Sequence, residues 1–162
     1  TVVIDDLLDL KTVQIESDGS VLALRPLTGS AGDIVRAFAG VPHLQAYRAE
    51  DLPARLRLTN NPRIAPVWVL PEEGWHVETR ANLEHLRQRY PEKGYLAGDH
   101  GYDPDLANMR GIFIASGPAF RRGLALPEVE SVHLYNLMCA VLRLQPASND
   151  GDDRLVRAAL RE

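Results

Sequence analysis

Residues 111–116 read Gly-Ile-Phe-Ile-Ala-Ser. This run constrains the fold more than any other, because a strand made from it has no polar face to turn to water. Strands covered on both sides belong to parallel sheets lying between helices. The flanks fit that setting. Upstream, residues 79–90 predict a helix with Thr79 as N-cap and Leu83, Leu86 and Tyr90 on one stripe. Downstream, residues 131–144 give the strongest helical pattern, with Leu134, Leu137, Met138 and Val141 at helical spacing and directed at a core. A more polar helix closes the chain over residues 152–162. Helix, loop, buried strand, helix is an α/β layout.

The first 78 residues have a different texture. Two apolar segments flank Ser17-Asp18-Gly19, a hairpin signal. Ser30 heads a short helix with Ile34, Val35 and Phe38 on one face, ended by Gly40. Further strands are expected at residues 43–49, after Pro66, and at 74–79. The division expected is therefore a small β-rich α+β subdomain, cap- or insert-like, over 1–78, and part of an α/β core over 79–162.

The 162 residues, 45% hydrophobic and 25% charged, amount to one domain's worth of sequence. A net charge of −4 with no basic stripe argues against binding duplex nucleic acid. No apolar run approaches the roughly 18 residues of a membrane span. Cys139 is the only cysteine, so no internal disulfide is possible, and its apolar neighbourhood predicts a buried, inert thiol.

The chemistry concentrates in residues 97–120. His100 stands between Gly98 and Gly101, which open backbone conformations closed to other residues, with Asp99, Asp103 and Asp105 around it. Imidazole is a common zinc ligand, and carboxylates orient such ligands. The local chemistry equally suits a turn whose aspartates cap backbone amides beside an exposed histidine. His43, His76, His85 and His133 have no partner in the sequence pattern and are assigned no function. Arg121-Arg122 read as a solvated turn. A catalytic zinc takes about three protein ligands, yet no HxxxH, HExxH or CxxC spacing occurs. Any partners of His100 at a metal lie outside this chain or far away along it.

Residues 98–123, "GDHGYDPDLANMRGIFIASGPAFRRG", followed by "ESVHLYNLMCAVLRLQPASNDG", resemble the C-terminal segment of nucleotide pyrophosphatase/phosphodiesterases of the alkaline phosphatase superfamily. The His-Gly-Tyr-Asp turn, the Asn-Met pair, the Ser-Gly-Pro after the apolar run and the Tyr-Asn-Leu-Met-Cys helix carry the likeness. It is strong over about residues 94–151. Residues 1–93 are similar in arrangement, including "PVWVLPEEGW".

The resemblance implies an alkaline-phosphatase-like α/β fold, of which this is the C-terminal portion. It implies a two-zinc site acting on phosphodiester or pyrophosphate bonds of a nucleotide or other small phosphodiester. The histidine of the late His-Gly-Tyr turn, here His100, is one ligand of the first zinc. The threonine nucleophile and the other ligands belong to an N-terminal catalytic half not represented in these residues, so no catalytic residue is expected in this chain. Asp103 is an expected partner orienting His100. The isolated chain is expected to be inactive and not to retain zinc, and the whole enzyme is expected to be periplasmic or secreted. The alternatives are a related phosphomonoester or phosphonate hydrolase and, for the chain alone, an inert module.

Overall fold

A computed structural model describes residues 1–58, 61–93 and 98–161. It forms two compact units, Thr1–Gly111 and Ile112–Glu162. Residues 79–111, expected in the second part, lie within the first of these units. Residues 79–111 belong with the first unit because their polar groups bond back to it. The Arg80 amide donates to Asp5 Oδ2 at 2.7 Å, and Asn108 Nδ2 donates to Glu73 Oε1 at 2.6 Å.

The first unit is built on an antiparallel sheet of β2 (Val13–Ser17), β3 (Leu22–Pro26), β5 (Val67–Pro71) and β4 (Leu44–Arg48), in that spatial order. As the Asp-Gly signal predicts, β2 and β3 form a hairpin, with an irregularity between Ile15 and Ser17. In β5, Val67, Val69 and Pro71 are buried while Trp68 and Leu70 are less so, the alternation of a sheet with one core face. Helix α1 (Ala31–Ala37) starts at a capping box. Ser30 Oγ accepts from the Asp33 amide at 3.2 Å, and Asp33 Oδ2 accepts from the Ser30 amide at 2.9 Å. It brings Ile34 into a core that also includes Phe38, Ile4, Leu22, Leu24, Val67, Val69 and Val77.

A second, two-stranded sheet pairs β1 (Val2–Val3) in parallel with β6 (Val77–Glu78). Gly19, at the tip of the β2–β3 hairpin with φ +99°, exchanges backbone hydrogen bonds with Val77 at 2.8 and 2.9 Å. The hairpin tip and β6 are thus locked together. Helix α2 (Arg80–Arg89) follows, with Thr79 Oγ1 accepting from the Asn82 amide at 3.0 Å, the expected cap.

The second unit contains α3 (Leu134–Leu142) and α4 (Arg154–Ala159). Leu137, Leu155 and Ala159 form its core, with Phe120, Leu126, Leu134, Val156 and Leu160 against them. Phe120 and Leu160 form an isolated bridge, and the Arg121 guanidinium Nε donates to the Leu160 carbonyl at 2.8 Å. Arg121 is exposed beside the turn, as the sequence predicts, and also ties that turn to the segment after α4.

Two sequence expectations fail here. Residues 111–116 are not a strand: no ladder reaches them among the described residues, and Ile112 and Ile114 are 87% and 79% exposed. An apolar run becomes a strand only when a neighbouring strand supplies hydrogen-bond partners, and among the described residues none pairs with these. On α3, Met138 (57% exposed) and Val141 face outward, while Asn136, Leu137 and Cys139 are buried. The helix is rotated from the purely apolar reading because Asn136 accepts from Asn149 Nδ2 at 2.9 Å, drawing a polar side chain inward. Cys139 is buried, as expected. Among the described residues no helix is long and apolar enough to cross a membrane.

Candidate functional site

The turn bearing His100 is held from several sides. Gly101 has φ +98°, a conformation that a side chain resists, and a Cβ there would lie 2.9 Å from Ser20 Oγ. That hydroxyl donates to the His100 carbonyl at 2.5 Å, so the hairpin tip fastens the turn at its centre. Gly98, the other glycine expected to need unusual freedom, is not in the left-handed region. Asp99 Oδ1 accepts from the His100 amide at 2.8 Å.

Asp103 and Asp105 close the other side. The Arg55 guanidinium donates to both oxygens of Asp103, at 2.6 and 2.5 Å, and approaches Asp105 Oδ2 at 3.3 Å. These hydrogen bonds from Arg55 hold the Asp103 carboxyl below the usual carboxylate range, and their counterpart raises Arg55. Both Asp103 oxygens go to Arg55, not to the His100 imidazole. The Asp105 amide donates back to Asp103 Oδ1 at 3.0 Å, an aspartate-capped turn. Tyr102 is buried, and burial, with the Asp99 and Glu73 charges adding, raises its hydroxyl above the ordinary value.

The His100 imidazole is exposed. Among the described residues no hydrogen bond or ion pair of its ring nitrogens is formed. The turn is anchored by its backbone and aspartates, while the imidazole is left available. The aspartates cap and clamp the turn, and the histidine side chain projects from it.

His76, to which the sequence pattern assigns no function, lies beside this turn. Its Nε2 is 3.0 Å from Asp99 Oδ2 and its Nδ1 3.3 Å from Glu78 Oε1. Its ring faces Tyr102 at 6.1 Å between centroids. Glu78 is only 3% exposed, and its Oε2 accepts from Asn82 Nδ2 at 2.5 Å. The signal available was the alternation His76-Val77-Glu78. With Val77 in the core, the residues on either side of it point to the opposite side of this extended segment.

The remaining histidines follow local needs. His85 is exposed on α2, and His43 pairs with Glu72 at 2.7 Å and stacks on Trp75 at 4.0 Å. His133 is 4% exposed, accepting from the Asp152 amide through Nδ1 at 3.0 Å.

The donor chemistry fits a zinc ion at one position only. A histidine with uncommitted ring nitrogens on a braced turn suits one coordination site. Among the described residues no three His, Cys, Asp or Glu side chains are grouped to hold a metal ion. His100 can contribute to such a site but cannot form it.

Comparison with known proteins gives these residues a context. Residues 1–103 match the family model described as type I phosphodiesterase / nucleotide pyrophosphatase. The chain is 32% identical to human ectonucleotide pyrophosphatase/phosphodiesterase family member 5 over 149 residues, covering 91% of this chain and 29% of that protein. It is 36% identical to the Mus musculus family member 7 over 120 residues, covering 74% and 25%. Solved human member 5 superposes with a TM-score of 0.82 at 29% identity, over 98% of this chain and 40% of that one. An inactive variant of the murine member 5, solved in complex with AMP, matches with a TM-score of 0.82 at 30% identity over 99% and 40%. The fold is thus mixed α/β and alkaline-phosphatase-like, as the sequence predicts. The chain spans between about a quarter and two fifths of the length of these relatives.

Proposed function

The chain belongs to the type I phosphodiesterase / nucleotide pyrophosphatase family, and from that premise we propose that it is the C-terminal part of a two-zinc enzyme cleaving phosphodiester or pyrophosphate bonds of nucleotides. The observation that carries this reading is the exposed imidazole of His100 on a turn clamped through Ser20, Asp99 and Arg55. In this proposal His100 is one zinc ligand. The other ligands and a threonine nucleophile come from the N-terminal half. Zinc in such a site supplies positive charge that polarises a phosphoryl oxygen and activates the nucleophile. What this chain contributes is position. Asp103 acts through Arg55, bracing the turn from the far side.

The apolar segment 111–116, which no ladder reaches among the described residues, supports the same reading. Ile112 and Ile114, and Met138 and Leu142 on α3, are large apolar side chains in water. In the whole enzyme residues 111–116 enter the central sheet as the buried strand their sequence describes. The AMP bound to the murine relative supports a nucleotide substrate, and export to the periplasm or outside the cell follows the family likeness.

His100→Ala in the full-length enzyme tests the proposal. The expected result is loss of most turnover of a nitrophenyl nucleotide diester, together with loss of bound zinc. Near-normal turnover at full zinc occupancy would overturn it. Turnover of nitrophenyl phosphate above that of the diester would assign a phosphomonoesterase instead. The 162-residue chain alone is expected neither to hydrolyse a dinucleotide nor to keep stoichiometric zinc through gel filtration.

A further inference from the structure

We infer that His76 is a positioning residue for His100, acting through Asp99. The inference rests on the zinc-ligand reading above and extends it to a residue 24 positions earlier in sequence.

The contacts form a continuous chain from regular structure to the turn. Asn82 on α2 holds Glu78 Oε2 at 2.5 Å, Glu78 Oε1 faces His76 Nδ1 at 3.3 Å, and His76 Nε2 faces Asp99 Oδ2 at 3.0 Å. Asp99 then uses its other oxygen, Oδ1, to accept the His100 amide at 2.8 Å. The carboxylate is therefore held at both oxygens, and any rotation that relaxes one contact disturbs the other. Behind this chain stands β6. Val77, between His76 and Glu78, is fully buried, pairs with Val2, and exchanges backbone bonds with Gly19. His76 can shift little, because Val77 fixes its backbone and Tyr102 lies against its ring.

The geometry matters because ligands tolerate little displacement: a functional side chain must be held within about 0.5 Å of its working position. Asp103 and Asp105 do not supply this on the His100 side, since both are engaged by Arg55. His76 is the group that converts the rigidity of β6 into a fixed Asp99, and Asp99 fixes the backbone amide of His100.

The test compares His76→Asn, His76→Gln and His100→Ala in the full-length enzyme. An asparagine amide reaches about as far as Nδ1, a glutamine amide about as far as Nε2. Glutamine therefore keeps a donor for Asp99, and asparagine does not. Three quantities are read: hydrogen exchange in the peptide spanning residues 98–103, zinc affinity by chelator competition, and turnover. H76N is expected to speed exchange in that peptide and weaken zinc affinity roughly tenfold, the lower end for partners that orient metal ligands. H76Q is expected to restore most of both.

If H100A releases zinc while H76N keeps wild-type exchange and affinity, the inference fails and the zinc reading stands. If H100A keeps its zinc, the zinc reading fails and takes the inference with it. Equal damage from H76N and H76Q, with the fold intact, would mean that filling the space beside Tyr102 is what matters, and would overturn the role through Asp99. Should H76N melt below the assay temperature, Asp99→Ala takes its place. It removes the same link at a more exposed position and is expected to reproduce the loss of exchange protection and zinc affinity.

Discussion

Gly101 lies close against Ser20 at the centre of the turn. An alanine at 101 must adopt φ near +98° and bring its Cβ to 2.9 Å from Ser20 Oγ. The backbone cost alone is about 1–2 kcal/mol, and the displaced hydroxyl loses its bond to the His100 carbonyl. Gly101→Ala is expected to destabilise the chain by at least that amount in urea unfolding, whereas Ser20→Ala is expected to cost about 1 kcal/mol. Equal effects from the two would show that the positive φ carries no strain. His100 was readable because its neighbours are glycines and aspartates in a recognisable order. His76 was not, because its partner Asp99 lies 23 residues away and meets it only once β6 has paired with the hairpin tip. Asp103 is expected from the sequence to orient His100, whereas its carboxylate bonds Arg55, which is 48 residues distant and to which nothing local points.

Elements whose signals are complete within a few residues formed as the sequence predicts. The hairpin at Asp18-Gly19, the capping box at Ser30 and the cap at Thr79 each close on atoms at most four residues apart. Thr79→Ala is accordingly expected to cost about 1 kcal/mol of stability. Leu24→Ala, in the fully buried centre of β3, is expected to cost about 2–5 kcal/mol. Residues 111–116 read as a buried strand, yet no ladder reaches them among the described residues; under the proposal above they pair with strands of the N-terminal half. Ile114→Lys should therefore change the stability of this chain by less than about 0.5 kcal/mol. The same substitution in the full-length enzyme should be strongly destabilising if that strand is buried there. Calorimetry on both proteins makes the comparison.

For the molecule as a whole, the clearest pH effect lies in the second unit. The Arg154 side chain and amide donate to Asp152 and, with the nearby positive charge, bring its carboxyl down to about 2. A carboxyl held below its unfolded value of about 3.9 stabilises the fold above that value, and the contribution disappears as pH falls through about 2. Asp33 and Asp103 are lowered in the same direction, the first by its bonds from Ser30 and the second by Arg55. Asp152→Asn is therefore expected to melt below wild type at about pH 5, the gap closing as the pH approaches about 2. A gap independent of pH would mean that the side chain acts by shape and not by charge.

The exposed run from Ile112 to Ile114 also bears on how copies of this chain behave together. An uncharged apolar segment with β-branched residues, and with no backbone ladder among the described residues, is a template for intermolecular cross-β stacking. Arg110 stands just before it, and Arg121 and Arg122 a few residues beyond. In a register-aligned stack these cations would meet their own images in the next chain, and like charges at the ends of a sticky segment act as gatekeepers. The concentrated chain should therefore form thioflavin-positive aggregates faster as salt screens those charges, and a combined Arg110→Ala and Arg121→Ala chain should do so even in low salt.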